Sequence, residues 1–186
     1  MTHEAELWQE FDKAGVPLMN GGRQPSLGNP KVGEPVYTSV AIVWLFRKTA
    51  SDLEVLFQKR SEKVDRFPGK WDIAAGGHIN YGESVLDAAV REAKEEIGID
   101  ITKDMLSLAV TTPSLFANNI LREFICDYTG HPDNFHFDDE EVSEVKWVPL
   151  EEFDDFIIKN AKAPLVEDTE IRSLIKKRLS AYYGDN

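Results

Sequence analysis

Apolar and polar positions along this chain follow two periods, one suited to strands and one to helices. Residues 36–48 are largely apolar, which predicts a buried strand. Residues 49–52 read as a turn, and 53–59 as a second strand pairing with the first as a hairpin. Residues 60–70 read as a loop and 71–75 as a short strand. Further strands are expected at 105–112, 120–128 and 142–148. Helical spacing takes over at 85–97. It returns at 149–158, where Leu150, Phe153, Phe156 and Ile157 share a face, and at 168–182, with Ile171, Leu174, Ile175 and Leu179 inward. Residues 3–11 are expected to form a short helix, and 15–35, rich in Gly, Pro and Asn, an irregular wrap. The chain divides into an extension, 1–35, and one domain, 36–186. Strands and helices in mixed order predict an α/β sandwich with a central mixed sheet between helices.

The helix at 85–97 carries the most information. Ser84 suits its N-cap, and Gly98 suits the left-handed residue that ends it. At about 100° per residue, Val85, Leu86, Ala89, Val90, Ala93 and Ile97 form the core face. Asp87, Arg91 and Lys94 face water. Glu92, Glu95 and Glu96, related as i, i+3 and i+4, make an acidic stripe that adjoins the core face. Carboxylates crowded at the edge of an apolar interior repel one another, and a hard divalent cation relieves that repulsion. Arg91, four residues before Glu95, is placed to hold it.

Composition narrows the classes. A net charge of −12 and a pI of about 4.8 argue against general binding to nucleic acid polymers or anionic membranes. The one cysteine excludes an intramolecular disulfide and fits a reducing, cytoplasmic setting. No apolar run reaches the roughly 20 residues of a membrane span, and no secretion signal is expected. Cys and His do not pair at zinc spacing. Before the acidic helix, Lys59, Arg60, Lys63, Arg66 and Lys70 supply positive charge suited to phosphate oxygens, and Trp71 suits either base stacking or core packing.

The stretch 77–99 resembles the Nudix box, G-x5-E-x7-R-E-U-x-E-E-x-G-U, where U is bulky and aliphatic. Gly77, Glu83, Arg91, Glu92, Glu95, Glu96, Gly98 and Ile99 fit it, and Ala93 at the first U position is the one departure. The resemblance implies a metal-dependent hydrolase that cleaves a diphosphate linkage in a nucleoside diphosphate or its derivative. It implies Mg²⁺ or Mn²⁺ on Glu92, Glu95, Glu96 and the carbonyl of Gly76. It also implies Glu92 or Glu141 as the base that activates water, with Glu140 and Glu144 as runners-up to Glu141. Glu83 then contributes through water or by orienting Arg91. Lys59, Arg60, Lys70, Trp71 and His78 are the expected contacts to a small-molecule diphosphate.

Within that family, the lysine–arginine pair at 59–60, the Phe-Pro-Gly at 67–69, Trp71 and the Gly-Gly-His at 76–78 are similar to isopentenyl diphosphate isomerases and their hydrolase relatives. The isomerases place a catalytic cysteine where this chain has Gly76. The only cysteine here, Cys126, falls in an expected strand. Hydrolysis is therefore the leading expectation. Isomerisation and non-catalytic nucleotide sensing are the alternatives.

Overall fold

The computed structural model describes residues 7–11, 16–23, 37–114, 118–137 and 140–184. Its organising element is β3 (Tyr37–Lys48). Along one edge it pairs in parallel with β8 (Asn119–Asp127), from Thr38↔Asn119 to Phe46↔Asp127. Along its length it also pairs antiparallel with β1 (Leu7–Phe11), with β6 (Ala75–His78) and with β4 (Leu53–Arg60). β2 (Pro17–Arg23) extends β1, and β7 (Leu106–Pro113) extends β8. β5 (Trp71–Ile73) and β9 (Val142–Pro149) pair with β4. One parallel pair among antiparallel ones makes the sheet mixed, as expected from the sequence.

Both faces of β3 are buried, which explains its nearly continuous apolar run. Ala41, Val43 and Leu45 point to one side, against Ala88, Ala89, Ala93 and Ile97 of α1 (Val85–Ile97). Trp44 and Phe46 point to the other. There they meet Phe153 and Ile157 of α2 (Phe153–Asn160) and Ile171, Ile175 and Leu179 of α4 (Thr169–Gly184). A short α3 (Ala163–Glu167), not expected from the sequence, links α2 to α4. Proline in its first turn fits its start. Among the described residues no helix is long and apolar enough to cross a membrane.

Several expectations are corrected. The described part of the expected N-terminal helix is strand β1. Residues 17–23, expected to be irregular, form β2, and the two make a hairpin on β3. Edge pairing along β3 outweighs the weak helical spacing of so short a segment. Residues 24–36 lie outside the described residues. The single strand expected at 71–75 is two, β5 and β6, which pair with different neighbours, β4 and β3. Leu174 is 36% exposed instead of inward, and the buried positions beside it are Ile171, Arg172 and Ile175.

The ends of α1 follow the sequence. The Ser84 side chain accepts from the Asp87 N–H, and Gly98 closes the helix at φ 73° with its N–H bound to the Lys94 carbonyl. A Cβ on Gly98 would also lie 2.3 Å from Nδ1 of His136. Gly98→Ala is therefore expected to cost about 1–2 kcal/mol, visible as a Tm several degrees lower in thermal unfolding.

Candidate functional site

Helix α1 lays its most buried strip, Ala88, Ala89, Glu92, Ala93, Glu96 and Ile97, against the sheet. The three alanines let the helix approach β3 and β6 closely. That approach carries two carboxylates inside: Glu92 is 9% exposed and Glu96 8%. The acidic stripe is thus split. Glu92 and Glu96 belong to the buried strip, whereas the Glu95 side chain stays outside at 53% exposure.

Each buried carboxylate has donors fitted to it. Glu96 Oε2 accepts from Gln58 Nε2 at 2.6 Å and from the Gly76 N–H at 3.2 Å. Burial first, then the charges of Glu92 and Asp72, push the Glu96 carboxyl well above its ordinary pKa, against those two hydrogen bonds. Glu92 Oε1 accepts from Arg91 Nη1 at 2.7 Å. Glu92 lies over Gly77, where a Cβ would come within 2.2 Å of its Oε1, so only glycine leaves room for this carboxylate.

Arg91 ties the cluster together. Its guanidinium donates to Glu83 at 2.9 and 3.1 Å, to Glu92, to Glu95 at 2.8 Å and to the His78 carbonyl at 2.9 Å. Burial alone would lower its pKa, but the hydrogen bonds and charges of Glu83, Glu92 and Glu95 raise it. Glu83 also accepts from the Asn80 N–H, which fixes the turn before the helix.

The other expected site residues are spread around this cluster. Gly76 sits in β6 opposite Ile42. The His78 ring stacks on Trp8 of β1 at 3.6 Å. Lys59 pairs with Glu144 at 3.8 Å and Lys63 with Glu140 at 2.8 Å, so two of the loop cations face the second acidic cluster. Glu141 is exposed just before β9, its carbonyl accepting the Ser61 N–H. Asp138 and Asp139 lie outside the described residues. The Lys70 side chain is exposed. Trp71 packs edge-on against Phe156 at 5.3 Å, in the core between the sheet and α2. Cys126 pairs with Leu45 on the α1 side of the sheet, and burial pushes its thiol up to about 12.

On the opposite face of the sheet lies a cavity of about 280 Å³. Arg60, Arg66, Phe67, Asp72, Glu123 and Lys162 line it over an apolar floor that includes Ile42, Trp44 and Ile73. Glu123 Oε2 accepts from the Trp44 indole N–H at 2.5 Å. Lys162 Nζ pairs with Asp72 at 2.6 Å. The sequence reading missed Gln58, Asp72 and Glu123. Their signal was a polar residue inside an otherwise apolar strand.

Oxygen donors dominate the α1 cluster, and they suit a hard dication. Among the described residues, however, no three His, Cys, Asp or Glu side chains converge closely enough to hold an ion. Arg91 occupies oxygens of Glu92 and Glu95, and the buried Gln58 Oε1 beside Glu96 has no hydrogen-bond partner. The donors are of the chemical kind such an ion takes, and Arg91 orients two of the carboxylates.

Burial moves the Glu123 carboxyl from its ordinary 4.5 up to about 7. A raised pKa favours the folded state below pH 4.5, and this contribution is lost as pH rises through about 7. Relative to wild type, Glu123→Gln should therefore gain stability across that window, by up to about 3 kcal/mol, and no further above it. Denaturant unfolding at a series of pH values measures the difference.

Similarity to known proteins agrees with this geometry. Nudix hydrolase 3 of Arabidopsis thaliana is 37% identical over 137 residues, covering 68% of this chain and 18% of that protein. An isopentenyl-diphosphate Delta-isomerase of Mycolicibacterium vanbaalenii is 32% identical over 103 residues, 51% of this chain and 54% of that one. The chain thus spans less than two thirds of either relative. Among solved structures, the NUDIX domain of Shewanella oneidensis NrtR, complexed with ADP ribose, aligns with a TM-score of 0.61 at 19% identity, covering 83% of this chain and 95% of that one. The NUDIX domain family model matches residues 36–169, most of the chain and all of the cluster just described, and the chain belongs to the Nudix family.

Proposed function

We propose that the chain is a cytoplasmic hydrolase that cleaves the diphosphate linkage of a nucleoside diphosphate or its derivative by attack of water on phosphorus. The observation that carries this reading is the pair of buried carboxylates, Glu92 over Gly77 and bound by Arg91, and Glu96 bound by the Gly76 N–H and Gln58. Burying two acids together is costly for a merely structural helix. Glu92, Glu95, Glu96 and the Gly76 carbonyl would hold Mg²⁺ or Mn²⁺, which neutralises phosphate charge and lowers the pKa of bound water. Arg91 orients Glu92 and Glu95, and Glu83 anchors Arg91. Gln58 and the Gly76 N–H fix Glu96. Glu92 or Glu141 takes the proton from the attacking water. Arg60, which lines the cavity 3.9 Å from Asp72, is a loop cation suited to phosphate oxygens.

Alkene protonation has less support. Gly76 offers no thiol, and Cys126 is fully buried in the core on the α1 side of the sheet with its pKa raised. A non-catalytic sensor would gain nothing from the crowded acids.

A panel of nucleoside diphosphates and their derivatives, assayed for product with Mg²⁺ and with EDTA, tests the reading. Turnover is expected with metal and is expected to vanish with EDTA. Glu96→Gln is expected to lose at least ~10²-fold in kcat with the fold retained. Binding without product would favour a sensor, and full activity in Glu96→Gln would refute the assigned role.

A further inference from the structure

We propose that the cavity opposite α1 is a nucleobase pocket in which Glu123 selects bases that carry an exocyclic amino group. This rests on the hydrolase reading and names its substrate class. Three observations carry it. First, the cavity neighbours the acid cluster: Asp72 lines the cavity and its charge acts on Glu96. Gly76, whose N–H binds Glu96, has its missing side chain replaced by Ile73 of the cavity floor, 2.9 Å from where a Cβ would be. Asp72 and Ile73 thus belong to the cavity lining and lie next to the groups that surround Glu96. At about 280 Å³ the cavity is close to the low end of the ~300–1,000 Å³ of small-molecule sites.

Second, Glu123 is 2% exposed yet lines the cavity. Its Oε2 is bound by the Trp44 indole, and no described residue donates to its Oε1. An acceptor oxygen without a protein donor, above the apolar floor of a cavity, is placed to take a ligand N–H. Amino groups of cytosine, adenine or guanine supply one. The carbonyl oxygen of uracil or hypoxanthine at the same place would set two acceptors against each other.

Third, Phe67 at the cavity edge is a bulky residue held at φ 52°, a conformation such residues seldom adopt. Strain of this kind is retained where a side chain is needed in one place. Its ring offers a stacking face for the base.

Trp44 makes the consequence sharp. It is fully buried and its N–H needs an acceptor. In Glu123→Gln the amide oxygen must turn to Trp44, which leaves the NH₂ facing the cavity. The acceptor becomes a donor, and the preference inverts.

The test compares matched pairs, cytosine against uracil and adenine against hypoxanthine. It uses kcat/KM for the diphosphate compounds and the thermal shift given by the corresponding monophosphates. Wild type is expected to favour the amino base about tenfold or more, and Glu123→Gln the oxo base. Equal preference in wild type, or the same preference in both proteins, overturns the pocket assignment. The wild-type comparison decides even if the variant fails to fold. Amino-base preference in the thermal shift without turnover of any compound would leave the pocket standing and sink the hydrolase reading instead.

Discussion

Two carboxylates buried side by side set the terms for the rest of this structure. Glu92 and Glu96 stand one helical turn apart on the sheet-facing strip of α1, where neither can be solvated freely. Each is tolerated because the fold delivers donors to it. Arg91 reaches Glu92 from the same helix. Gln58 and the Gly76 N–H reach Glu96 from β4 and β6. Two glycines and three alanines set the helix close enough for these bonds to form. Even so, the Glu96 carboxyl remains hard to ionise. A site under that electrostatic load is one that positive charge can stabilise.

β3 explains how the acid cluster and the cavity share one domain. Its alternating side chains separate an α1 face, which holds the acids, from an α2–α4 face, which holds the cavity. Residues that belong to both regions sit where β3, β4, β5 and β6 meet. Asp72 lines the cavity while its charge bears on Glu96. Gly76 gives its N–H to one side and its empty side-chain position to the other.

Much of this was legible in the chain. The helix 85–97, both of its caps and the contact of Arg91 with Glu95 followed from spacing, because helix caps and i, i+4 pairs are local physics. The strands β3, β4, β7, β8 and β9 were visible from their apolar runs, whereas β5 and β6 read as one. The N-terminal hairpin was not, since its pairing partner, the start of β3, lies far along the chain. Nor was the split of the acidic stripe: a helical wheel gives angles but not how closely the helix is pressed on its sheet. Trp71 and Arg60 looked alike as substrate contacts until β5 turned Trp71 toward Phe156 and the cavity took Arg60. Glu123 and Gln58 announced themselves only as polar residues in apolar strands, a signal that marks importance without giving a role.

The central claim is that the Glu92–Glu96 pair exists to receive a dication, and its most direct test is thermal unfolding against rising Mg²⁺ or Mn²⁺ in the absence of nucleotide. The Tm of the wild-type protein should climb with metal concentration and saturate, because an ion that binds only the folded state stabilises it. In Glu96→Gln the climb should be largely lost. A flat wild-type curve, or an equal rise in both proteins, would contradict the account.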